Sequence, residues 1–146
     1  MSSPVVAFMG QVVTDWEALT PPTRATITYH SLDNKRRLAS TAGDRGFAFD
    51  LPIRNAVIAE AGAAETQVEW LVNANLRLSQ GPFSAYELAS AVANESNLLL
   101  RAIEIRSSWP AGVLEVITEP TEPERDPDKG DALIKFTFRV LCAETD

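Results

Sequence analysis

The chain has 146 residues, 45% of them hydrophobic, and its 20 acidic against 13 basic side chains give a formal net charge of −7. That length suits a single domain, residues 1–146, with enough apolar surface for a real core, and the composition excludes a disordered chain. The acidic balance argues against a domain built to grip phosphate backbones, which needs clustered Lys and Arg. Basic residues cluster once, at Lys35, Arg36 and Arg37, where no aromatic side chain is interleaved to stack on bases.

The only cysteine, Cys142, and the only histidine, His30, can supply neither an intrachain disulfide nor the usual four protein ligands of a zinc site. No metal or cofactor is therefore expected, and a reducing place of synthesis fits. No apolar run reaches the roughly 20 residues of a membrane helix. Residues Met1 to Met9 lack the basic start and small-residue cleavage site of a signal peptide. Neither secretion nor a membrane partner is expected.

In chain order, Ser2 or Ser3 can cap a helix with Pro4 in its first turn, and Val5, Phe8, Met9, Val12, Val13 and Trp16 recur at helical spacing until Pro21 and Pro22 end it. Ala25, Ile27 and Tyr29 alternate with polar residues as in a short strand, and a polar loop is expected from His30 to Asp44. Phe47, Phe49 and Leu51 form the next alternation, closed by Pro52. Ile53 to Thr66, with Gly62 among alanines, reads as loop. Gln67 to Ser79 alternates over its whole length and predicts a long half-buried strand with Val68, Trp70, Val72, Ala74, Leu76 and Leu78 on one face.

Ser84 and Glu87 have the spacing of a capping box, and Phe83 with Leu88 that of a hydrophobic staple. The helix they open is expected to run to about Arg106. Trp109, Pro110 and Gly112 turn the chain into a strand at Val113 to Thr118, and a last strand carries Ile134, Phe136, Phe138, Val140 and Cys142 on one face. Between these strands, Glu119 to Asp131 has three prolines and an excess of carboxylates, which predicts a mobile acidic loop. The fold class expected is α+β: a mixed or antiparallel sheet of about four to five strands, packed by an N-terminal helix and one long central helix.

Candidate chemistry is sparse. Glu95 falls in the middle of the apolar face of the second helix, where desolvation would raise its pKa, and His30 is the one histidine that could pair with it as a general base. The alternative is an ion pair with an arginine such as Arg77 or Arg139, at the sheet or at a subunit contact. Cys142, on an apolar strand face, reads as a small buried hydrophobe. No glycine-rich phosphate loop, nucleophile elbow or metal-ligand spacing occurs, so no catalytic residue is assigned. Trp16, Trp70 and Trp109 each have a core and an interface reading; Trp70, on the apolar side of its strand, reads as core, and Trp109, beside a proline at a turn, as the tryptophan more suited to reach a partner.

The order of elements and the wording of three strands resemble the phage tail terminator family. "RGFAFDLP" at Arg45 to Pro52 resembles its Arg-x-Phe strand, "VEWLVNANLRLS" at Val68 to Ser79 its long central strand, and "ALIKFTFRVL" at Ala132 to Leu141 its last strand. "NESNLLLRAIEIRSSWPAGVLEV" at Asn94 to Val116 resembles the helix-to-strand passage before a variable hairpin loop. That family often carries an aspartate in this helix, where Glu95 stands here.

The resemblance implies a structural virion protein of the tail or neck, assembled in the host cytoplasm as a homo-oligomeric ring, hexameric in the family. The ring caps the tail tube, ends its polymerisation and joins it to the head-tail connector or stopper, with DNA only passing through its lumen. Arg36, Arg37, Arg54, Trp109, Glu122, Glu124, Asp126 and Asp128 are the residues proposed for subunit interface or lumen. The other classes to weigh are a different neck or tail piece, such as a stopper or tube protein, and a small α+β enzyme or ligand-binding domain using Glu95 and His30.

Overall fold

The structure, a computed structural model, describes residues 3–21, 29–31, 45–60, 65–78, 84–127 and 130–145. Its architecture is α+β. Helix α1 is Pro4–Glu17, and strands β1 (His30–Ser31), β2 (Arg45–Phe49), β3 (Ile53–Glu60) and β4 (Glu65–Leu78) follow. Helix α2 is Ala85–Glu104, and β5 (Val113–Thr118), β6 (Glu122–Arg125) and β7 (Ala132–Thr145) close the chain.

The two 14-residue strands β4 and β7 pair antiparallel along their whole length, from Glu65↔Thr145 to Leu78↔Ala132. Each carries two shorter strands in line on its outer side. β3 and β2 pair with successive stretches of β4, and β5 and β6 with successive stretches of β7. β1 adds a short parallel pairing outside β2. The register places Val68, Trp70, Val72, Ala74, Leu76 and Leu78 opposite Cys142, Val140, Phe138, Phe136, Ile134 and Ala132, so the even-numbered residues of both strands share one face.

Both helices pack on that face, and among the described residues no helix packs on the other, the open face. α1 presents Val5, Phe8, Val12 and Trp16, all essentially inaccessible, at the spacing that the helical period requires. Trp16 stands edge-on to Phe47 and Phe136, and its indole N–H donates to the Leu99 carbonyl of α2 at 3.2 Å, which satisfies the one polar atom this large side chain takes into the core. Ser3 is the N-cap residue of α1, with no side-chain capping bond. At α2 the capping box forms: Ser84 Oγ accepts from the Glu87 amide at 3.2 Å and Glu87 Oε1 from the Ser84 amide at 3.0 Å. Phe83, the other half of the expected staple, lies outside the described residues.

Several expectations change. The sheet has seven described strands against the four to five expected. Ile53–Glu60, read as loop, is strand β3, and two register shifts against β4, at Arg54/Ala56 and Val57/Ala59, erase the period-two alternation that would have marked it. Glu119 to Asp131, read as a structureless loop, contains β6. Its residues are all exposed, so pairing to β7 through the backbone, and not apolar burial, is what forms it. His30 and Ser31 belong to β1, while the strand expected around Ala25 and Ile27 and most of the loop after it lie outside the described residues. α2 ends at Glu104, with Ile105 as its C-cap.

Trp70 and Trp109 are both partly buried and pack against the core. Trp70, although on the inward face, is only partly buried and donates its indole N–H to Glu144 at 3.3 Å. Trp109 packs within the chain, its ring 5.0 Å from that of Phe8 and 5.1 Å under the Arg106 guanidinium.

Candidate functional site

β2 places Arg45 and Phe47 on the same face, because alternate residues of a strand point the same way, and that face is the core. α2 places Glu95 on its buried stripe between Leu88, Ala91 and Leu99. The two charges meet there with both side chains fully inaccessible. Arg45 Nε donates to Glu95 Oε1 at 2.7 Å and its Nη2 to Oε2 at 3.0 Å, a bidentate pair, and the Tyr29 hydroxyl donates to Oε1 at 2.7 Å. Burial first, and then the neighbouring Glu95 carboxylate, push the Tyr29 hydroxyl above its ordinary pKa, so it remains a donor.

This is the ion-pair reading of Glu95 with a different partner. Arg77 and Arg139, the arginines named from the sequence, are odd-numbered residues of β4 and β7 and so lie on the open face, away from α2. Arg77 bonds Asp131 at 2.6 Å and Asp126 at 3.1 Å. Arg139 bonds Glu69 at 3.1 Å and approaches Glu119 at 3.6 Å. Arg45 was legible by parity, since it stands two before Phe47 and four before Phe49 in an alternating segment. Glu95, fully buried and accepting three hydrogen bonds, is not exposed to a substrate in this structure. His30 belongs to β1, and its side chain is outside what the structure describes.

The open face offers one concavity of about 530 Å³, between the ends of β2, β4, β7 and β6. Gly46, Ala48, Asn75 and Leu133 form its floor, and Arg77, Lys135, Glu122 and Glu124 its charged rim. No serine, cysteine or histidine is among the described residues that line it. Arg77 is already committed to Asp126 and Asp131.

The other residues singled out from the sequence scatter. Arg54 is exposed on β3, and Glu122 and Glu124 are exposed on β6. Asp126 is drawn in under Arg77, and Trp109 is packed on Phe8. Arg36, Arg37 and Asp128 lie outside the described residues. Cys142 is buried, and its thiol is pushed up to about 11, first by burial and then by the Glu144 carboxylate, which makes it a poor nucleophile. No group of three or more His, Cys, Asp or Glu side chains suited to a metal ion occurs among the described residues. No helix among them is long and apolar enough to cross a membrane. Compared with protein-family models and with curated proteins, the chain matches none.

Proposed function

We propose that this protein is a structural subunit of a phage-type tail, a terminator that assembles as a ring on the head-proximal end of the tail tube and joins it to the connector or stopper. The observation that supports this best is the meeting of Arg45 with Glu95. Resemblance to the terminator family singles out the arginine of the Arg-x-Phe strand and the acid of the following helix separately, and in the structure they are each other's partners at 2.7 Å. The glutamate stands in the helix where that family often carries an aspartate, and its pairing with Arg45 leaves no buried charge uncompensated. The order read from the sequence, a leading helix, three strands, a capped helix and a closing antiparallel pair, compares with a helix, four strands, a helix and three strands among the described residues.

In this reading the chain does no chemistry, and its work is shape: a rigid core, an open sheet face and exposed sheet edges held for other subunits. The net charge of −7 suits a lumen through which DNA passes, since repulsion of phosphates avoids binding that would retard passage. Gold-labelled antibody to the chain, applied to tailed particles from its source, should mark the head-proximal end of the tail. Label spread along the tail would instead make it a tube subunit, and an unlabelled particle would end the reading.

A further inference from the structure

The open face is not polar throughout. Ile53 of β3 stands opposite Leu71 of β4, Leu71 opposite Arg139 of β7, and Arg139 opposite Ile117 of β5, so all four project from the same side of the sheet. In the next row Leu141 lies between Glu69 and Glu115. Ile53 and Ile117 are 51% and 42% exposed, and Leu71 and Leu141 are half-buried. These four apolar side chains form a band that crosses β3, β4, β7 and β5, three inter-strand gaps or roughly 14 Å in all. Exposed apolar residues that gather on one side mark contact sites, where residues scattered singly do not.

The charges around the band are unbalanced in one direction. Arg139 is shared by two carboxylates, Glu69 at 3.1 Å and Glu119 at 3.6 Å. Glu115 is exposed and has no ion-pair partner among the described residues. Three carboxylates against one guanidinium leave the band in a negative field. Toward the other end of the face Arg77 is likewise shared, by Asp126 and Asp131, and Lys135 stands across from Glu122, with Glu124 one row further on.

A chain lying across the strands of a sheet face cannot pair its backbone with them, so its peptide groups must be bonded internally, as they are in a helix. About three helical turns cover that width, and apolar residues three and four apart line one side of them. We infer that the open face is the docking surface for a short amphipathic helix of a partner protein. Its apolar stripe lies on Ile53, Leu71, Leu141 and Ile117, and lysines or arginines on its flanks meet Glu69, Glu115 and Glu119. Charge complementarity selects this occupant: the face repels nucleic acid, and the same face of a second copy would set like charges against each other. Nothing in this depends on the chain being a tail subunit.

The test uses the full chain and a fluorescein-labelled peptide of about four helical turns, with leucines three and four apart on one stripe and lysines on both flanks. Fluorescence anisotropy should show binding in the micromolar range, and circular dichroism a gain of helix. A peptide with glutamates in place of the lysines, and a scrambled peptide of unchanged composition, should each bind at least about tenfold more weakly. Ile53→Ser and Ile117→Ser should each weaken binding about tenfold, and Glu115→Gln about threefold with a shallower dependence on salt. All three sites are exposed, so the fold should survive. Tyr86→Ser, on α2 and 84% exposed, should leave binding unchanged.

Scrambled and striped peptides that bind alike, or serine variants that bind as wild type does, would reduce the effect to attraction between opposite net charges and overturn the inference. A striped basic peptide that does not bind at several hundred micromolar would overturn it as well. A wild-type mass that rises with concentration in sedimentation velocity, and no longer does so in Ile117→Ser, would give the face to a second copy instead. Each of these outcomes leaves the tail reading to the labelling experiment.

Discussion

Arg45 and Arg77 both hold carboxylates, yet the two sites do opposite things for the fold. Arg45 and Glu95 are completely removed from water, one from a strand and one from a helix that passes over it. Arg77, whose side chain is 36% exposed, ties Asp126 and Asp131 at the base of the β6–β7 connection. The first pair has given up its hydration and depends on near-ideal geometry to recover it. The second has given up little and gains little. A buried pair is thus weak evidence of added stability but a strong constraint on which strand faces which helix, because any other pairing strands a charge in the core. In the outer site the arginine ties the two ends of the β6–β7 connection, while β6 itself, exposed throughout, is held by backbone pairing to β7.

The largest expected effect comes from breaking the inner pair on one side. Arg45→Met or Glu95→Leu alone should cost about 3–5 kcal/mol in urea unfolding, the usual result of leaving a buried charge uncompensated. The double variant should recover most of that loss, since two apolar side chains of similar volume leave no charge behind. Equal losses in single and double variants would mean that packing and not charge dominates the site. Tyr29→Phe removes one hydrogen bond to the same carboxylate and should cost about 1.5–3 kcal/mol, with the ion pair retained.

At the outer site, Arg77→Ala should cost no more than about 1 kcal/mol, and less at high salt. Its clearer effect is local: amide exchange in Glu122–Arg125 should quicken while the core of β4 is unchanged. A uniform rise in exchange across the sheet would place Arg77 with Arg45, against the contrast drawn here.

The smallest effect is one of pH and concerns a third pair of intermediate exposure, Asp15 with Arg106 at 2.8 Å. Hydrogen bonds from Arg106, and secondarily Gln11, hold the Asp15 carboxyl below its usual range, with burial opposing them. A carboxylate depressed in the folded state contributes stability that is complete above the unfolded value of about 3.9 and is lost as pH falls through the folded one. Asp15→Asn should therefore be less stable than wild type at pH 6, and the gap should close as pH falls below 4. A gap that stays constant down to pH 2 would show that the bond geometry, and not the charge, is what counts.

Much of the fold was legible in the sequence because its period is written in single residues. Val5, Phe8, Val12 and Trp16 place one face of α1, and the even-numbered residues of Val68 to Leu78 and of Ile134 to Cys142 place the inward face of both long strands. Ser84 and Glu87 mark the start of α2 through purely local bonds. Such signals survive translation into structure because each depends only on residues a few positions apart.

Tertiary structure decided the rest. β3 hid because its bulges, which exist only against β4, scramble its alternation, and β6 hid because β7 supplies the hydrogen bonds that its composition cannot compensate for. Glu95 was conspicuous as an acid on an apolar stripe, and Arg45 stood in step with Phe47, but nothing local says that these two, 50 residues apart, are partners. Only the placing of α2 on the face to which β2 points Arg45 chose that arginine over Arg77 and Arg139, because strand parity and the side of the sheet that the helix covers together fix which charges share the low-dielectric side.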